Sequence, residues 1–165
     1  MRRHMLLGLA SSMLLPVGSV QAQLVRRPLL TVSGPNALEA TYWTEEEFAE
    51  LPFQDIHTTT QWTEGVQHFR GPLLRDVLLA HVPDAKDIRA RGLRLTAIND
   101  FRIDFPAVDA WDFDCILARE RNGVPMRIRD KGPLWLVYPR DSDQRLQDPL
   151  RDGRWVWQLS QIEII

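Results

Sequence analysis

The run at residues 134–138, LWLVY, is apolar at every position, as expected of a strand covered on both faces, and Pro139 ends it because proline cannot extend a ladder. A second apolar run, residues 115–118 (CILA), precedes the Asn122-Gly123 pair, whose tolerance of positive φ predicts a tight reversal of the chain. Between the two runs, Arg127, Arg129 and Lys131 alternate with Met126, Ile128 and Asp130 until Gly132-Pro133 breaks the pattern. Residues 118–141 are therefore the stretch around which the chain is organised.

Towards the N-terminus, residues 27–34 (RPLLTVSG) and 38–43 read as two strands. Thr44 with Glu47 makes a capping box for a short helix over 45–50. Residues 53–60 alternate and end in three threonines, a strand signal. Gly71 and Pro72 are expected to open a helix in which Leu73, Leu74, Val77, Leu78 and His81 share a core face. Residues 84–92 predict a turn of helix, residues 93–98 and 101–105 two strands joined by a turn at Asn99-Asp100, and residues 107–111 a short helical turn. Residues 140–153 are charged and aperiodic, placed to close over a ligand. They do not match a calcium loop, since Arg145 stands at the third ligand position. From Arg154 to the end the chain alternates as a strand.

Composition narrows the class. The 165 residues are 44% apolar and include six Trp, enough for one domain with its own core. Residues 1–22 pair Arg2 and Arg3 with an apolar stretch over 5–15 and an A-x-A-like Val20-Gln21-Ala22, which predicts a signal peptide followed by a domain over 23–165. That stretch is too short to span a bilayer, so a periplasmic location without stable membrane insertion is expected. Removing Arg2 and Arg3 from 20 basic residues leaves 18 against 22 acidic ones, a net charge of −4, and nothing suggests nucleic acid. The single Cys115 has no internal disulfide partner and reads as a buried small hydrophobe, with Asp112 and Asp114 set to raise its pKa. His57, His68 and His81 lack metal-type spacing, and no G-x-S-x-G, H-E-x-x-H, G-x-G-x-x-G or C-x-x-C occurs. No metal ligands and no catalytic residues are assigned.

Candidate chemistry gathers at strand ends. Thr60, Gln61, Trp62 and Thr63 offer hydroxyls and an amide beside an indole, the groups that bond the rim of a heteroaromatic ring stacked on Trp62. Lys131 and Arg140 flank the LWLVY strand, whose end at Tyr138 suits a flat polar ligand; a buried strand with solvated basic flanks is the competing account. Trp155 and Trp157, two residues apart, share a face and together wall a pocket, or simply pack a sheet. Asp100, beside Asn99, is either a reader of a donor-rich ring edge or a turn residue bonding its own backbone.

The order apolar strand, N-G-x-P turn, basic residues, G-P-L-x-L-V-x-P resembles the molybdopterin-binding domain of the sulfite oxidase family. Phe69, Gly71, Pro72, Leu73 and Leu74 are similar to its W/F-x-G-x-x-L segment. Asn99-Asp100-Phe101 with Pro106 is similar to its D-G-Y…I-P pair, and residues 155–162 to its closing strand. The resemblance, over about residues 27–165, implies an α+β fold, a mixed β-sheet domain with a few short helices. The departures are informative: the family's metal-binding cysteine is replaced by the sulfur-free stretch 58–63, its arginine after G-P-L by Trp135, and the closing-strand lysine by Trp157 or its neighbour. In this the chain resembles the cysteine-less PruR-type proteins of the periplasm. That implies a pterin ligand of neopterin or monapterin type, and a partner in the periplasmic domain of a membrane-bound cyclic-di-GMP signalling enzyme. A molybdopterin-dependent oxidoreductase is the alternative, and a ligand-free docking protein a third reading.

Overall fold

In the computed structural model, residues 27–34 and 39–165 are described, so the signal-peptide reading of 1–22 and the expected strand start at Leu38 lie outside the described residues. β1 (Leu30–Ser33) and β2 (Thr41–Trp43) pair antiparallel. Thr44 and Glu47 exchange both bonds of the capping box, which fixes the start of α1 (Glu45–Ala49) and drives Phe48 into the core. β3 (Phe53–Thr60) has the expected bounds and turns at Gln61-Trp62 into β4 (Thr63–Pro72). Here the expectation is corrected: Gly71 and Pro72 end a ten-residue strand, and the helix α2 (Leu74–His81) begins only at Leu74. The glycine serves strand packing, because a Cβ there would come within 2.1 Å of the Leu117 carbonyl oxygen. α2 buries Leu74, Val77 and Leu78 of the expected face, while Leu73, which precedes the helix, and His81 are half-buried.

α3 (Ala85–Arg89) is capped by the Asp84 carboxylate, which accepts from the Lys86 and Asp87 amides. β5 (Gly92–Ala97) and β6 (Arg102–Pro106) form the expected hairpin, with Asp100 at φ 64° in its turn. α4 (Asp109–Asp112) leads to β7 (Ile116–Ala118), buried throughout. Asn122 and Gly123, at φ 53° and 76°, make the tight reversal between β8 (Glu120–Arg121) and β9 (Val124–Pro125). The alternating stretch after it contains a 3-10 turn, Ile128–Asp130, with Lys131 left-handed at φ 74°. β10 (Trp135–Val137) is shorter than expected, yet Leu134, Trp135, Leu136, Val137 and Tyr138 are all buried. The aperiodic segment folds into a 3-10 turn, Gln144–Gln147, and α5 (Pro149–Asp152). The final strand is also corrected: β11 (Leu159–Ile164) starts late because Gln158 sits at φ 55°, which no regular strand accepts.

Among the described residues three sheets form, with strand orders β2-β1-β11-β5-β6, β3-β4-β8-β9 and β10-β7. Among the described residues only β1 and β11 pair parallel, so the five-stranded sheet is mixed. The small pair joins the two larger sheets. The Leu74 amide donates to the Cys115 carbonyl at 2.9 Å, and the Leu159 amide to the Leu134 carbonyl at 3.0 Å. Among the described residues no helix is long and apolar enough to cross a membrane.

Candidate functional site

Before Gln158 turns it aside, the chain runs beside β10: the Leu136 amide donates to the Val156 carbonyl at 2.8 Å, and Trp135 bridges to Trp157. This brings Trp155 and Trp157 against Trp135, and the β3–β4 turn adds Trp62 from the other side. Trp62 lies 5.3 Å from Trp157, 5.8 Å from Trp155 and 6.1 Å from Trp135, centroid to centroid, mostly edge to face. The cluster has an inside and an outside. Trp135 and Trp155 are buried, whereas Trp62 and Trp157 are half-buried and present indole surface outward. The Lys131 ammonium lies 4.0 Å from the Trp157 ring centroid and 5.5 Å from that of Trp135. Burial, reinforced by nearby Arg121, lowers the Lys131 pKa.

A cleft of about 240 Å³ opens on this outer surface. Trp62, Trp155 and Trp157 wall it, Asn99 and Phe101 enter from the β5–β6 turn, and Asp152 comes from the end of α5. Asp152 is the polar feature of the cleft that the sequence reading missed. Its side chain is only 4% exposed. The Gln61 amide donates to one carboxylate oxygen and the Arg140 guanidinium, at 3.3 Å, to the other. A neighbouring clamp holds the segment in place: the Thr59 amide and hydroxyl both donate to Asp141 at 2.6 Å, and the Asp141 amide donates to the Thr58 hydroxyl at 3.2 Å.

The other expected site residues divide between cleft, support and core. Asn99 lines the cleft, and its side-chain oxygen accepts from the Phe101 amide at 3.2 Å. Gln61 and Arg140 act at one remove, through Asp152. The hydroxyls of Thr60 and Thr63 bond each other at 2.8 Å, closing the hairpin end. Asp100 is exposed in its turn and is not among the residues lining the cleft. Tyr138 points away into the core, where its hydroxyl donates to Asp109 at 3.1 Å. Asp109 is a second buried carboxylate, held also by Arg154 and, at 3.8 Å, by Arg151. Burial above all pushes the Tyr138 phenol and the Cys115 thiol well above their ordinary values; Cys115 and then Asp109 add to the effect on the phenol, and Asp109 and Asp114 to that on the thiol.

The sulfur of Cys115 is fully buried and faces the Asp109 carbonyl at 3.9 Å. No thiolate therefore reaches the cleft, and this donor set does not fit molybdenum held by a cysteine. Among the described residues no group of three or more His, Cys, Asp or Glu side chains is placed to hold a metal ion. His57 and His68 instead stack on each other across β3 and β4 at 4.4 Å, and His68 pairs with Asp55.

The architecture is α+β, mixed sheets with a few short helices, and its fold is sulfite oxidase-like. Among solved structures the chain is similar to the sulfane dehydrogenase SoxCD from Paracoccus pantotrophus, with 18% identity and a TM-score of 0.58 over 82% of this chain. That match covers 37% of the SoxCD chain, so this chain spans well under half of its length. At this identity the likeness is one of fold. No protein-family description and no curated protein matches the sequence.

Proposed function

We propose that the chain is a non-catalytic pterin-binding protein, in which a two-ring heterocycle of neopterin or monapterin type lies against Trp62 and Trp157. The observation that carries this reading is the indole-walled cleft: half-buried aromatic faces on one side, and a few fixed polar groups, Asn99 and Asp152, at its boundary. Its size argues for a small ligand. At about 240 Å³ it lies below the roughly 300 Å³ where pockets for drug-sized molecules begin, which suits a two-ring system with a short side chain better than one with a nucleotide or phosphate tail. The cations that would meet a phosphate are already engaged, Arg140 by Asp152 and Lys131 by the faces of two indoles. The leader-like pattern of residues 1–22 and the resemblance to PruR-type proteins support a periplasmic sensor, whose partner is the periplasmic domain of a membrane-bound cyclic-di-GMP signalling enzyme.

Calorimetric titration of neopterin and monapterin into the folded protein tests the reading. Saturable binding of one molecule per chain is expected, and folded protein that binds neither overturns it. Stoichiometric molybdenum in protein purified from its own cells would favour the oxidoreductase reading instead.

A further inference from the structure

We infer that Asp152 is the group that selects the ligand, and that the class it selects is bicyclic heterocycles bearing adjacent ring N–H and exocyclic amino donors, the 2-amino-4-oxo pattern. The inference rests on the pterin reading and deepens it. A carboxylate is acceptor-only, with about four lone-pair positions over its two oxygens. In Asp152 one position on each oxygen is taken, by Gln61 and by Arg140, while the residue still lines the cleft. Among the described residues these are the donors to its side chain, so lone pairs remain for a ligand on a carboxylate that is otherwise only 4% exposed.

A ring edge with two neighbouring donors meets a carboxylate through a pair of parallel bonds, as a guanidinium does. The pterin edge adds a carbonyl beside those donors. Asn99 supplies the complement, because its oxygen is occupied by the Phe101 amide and its side-chain nitrogen is left to donate. The inferred pairing takes its donor from Asn99 and its two acceptors from Asp152, both residues of the cleft wall. A 2,4-dioxo ring, the lumazine type, has the same shape but places a carbonyl oxygen against the carboxylate, so it loses one bond and gains a repulsion. The Arg140 guanidinium at 3.3 Å compensates the buried charge, which keeps the carboxylate affordable in the apolar slot before a ligand arrives.

Two titrations test this, using neopterin and its 2,4-dioxo counterpart with the same side chain. The unaltered protein is expected to prefer neopterin by at least about tenfold, as for loss of a charge-assisted hydrogen bond. Asp152→Asn should bind neopterin at least about tenfold more weakly and bring the two ligands to within about threefold of each other. Equal affinity of the unaltered protein for both ligands, or neopterin affinity unmoved in Asp152→Asn, overturns the assignment. The ligand comparison needs no substitution, so it decides the matter even if Asp152→Asn does not fold. Failure of the folded, unaltered protein to bind neopterin at all is a different result and refutes the pterin reading itself, and this assignment with it.

Discussion

Within one aromatic cluster, burial separates the indoles into two roles. Trp62 is half-buried on the cleft side, whereas Trp135 is 0% exposed and touches Phe69 at 5.2 Å between centroids. Trp62→Ala is therefore expected to weaken neopterin binding by about 5-fold to 150-fold, the range for losing one ring stack, while leaving the melting temperature of the free protein almost unmoved. Trp135→Ala should instead cost about 3–5 kcal/mol of stability, as for any large aromatic removed from a core. Thermal melts beside titrations check both, and a large drop in melting temperature with Trp62→Ala would place that indole in the core. The aromatic cluster was legible in part, because Trp155 and Trp157 stand two residues apart and Trp62 follows a strand end. Asp152 was not: its partners Gln61 and Arg140 lie 91 and 12 positions away, and within the string DPLRDG nothing distinguishes a buried carboxylate from a solvated one.

Several elements fixed by residues close in sequence are legible there, although α5, with its Asp148 cap and Pro149, is not. The Thr44–Glu47 box, the Asn122-Gly123 turn and β3 each depend on residues within a few positions of one another. β4 depends on something else. Its residues TEGVQHFRGP are largely exposed or half-buried, so no period-two apolar signal marks it, and it is held by pairing with β3 and β8. Gly71 was misread as a helix opener because the feature that demands glycine, the Leu117 carbonyl, is 46 residues along the chain. Gly71→Ala should force β4 and β7 apart and destabilise the protein by about 1–3 kcal/mol or more, in the manner of an overpacked core. Urea denaturation measures this, and an unchanged midpoint would mean that the two strands separate without cost.

At the scale of the molecule, β7 and β10 tie the two larger sheets together, and the buried apolar side chains among the described residues form one cluster. Neither large sheet can open while keeping its own core. A single cooperative unfolding transition is therefore expected, with secondary structure followed by far-ultraviolet circular dichroism and heat absorption followed by calorimetry giving the same midpoint. Two separated calorimetric peaks would show that the sheets are independent. The fold class was legible from ordered short motifs, but the three-sheet arrangement was not, since the small central pair is made of three-residue strands too short to carry a period.

The packing of Trp62, Trp135, Trp155 and Trp157 has an optical consequence. With the paired ring centroids 5.3–6.2 Å apart, their electronic transitions couple, and excitation absorbed by one indole is shared among its neighbours. A pterin stacked on Trp62 would absorb light in the region where indoles emit, and would draw energy from the group as a whole. The protein's own emission is thus a gauge of whether the cleft is filled, readable without a label.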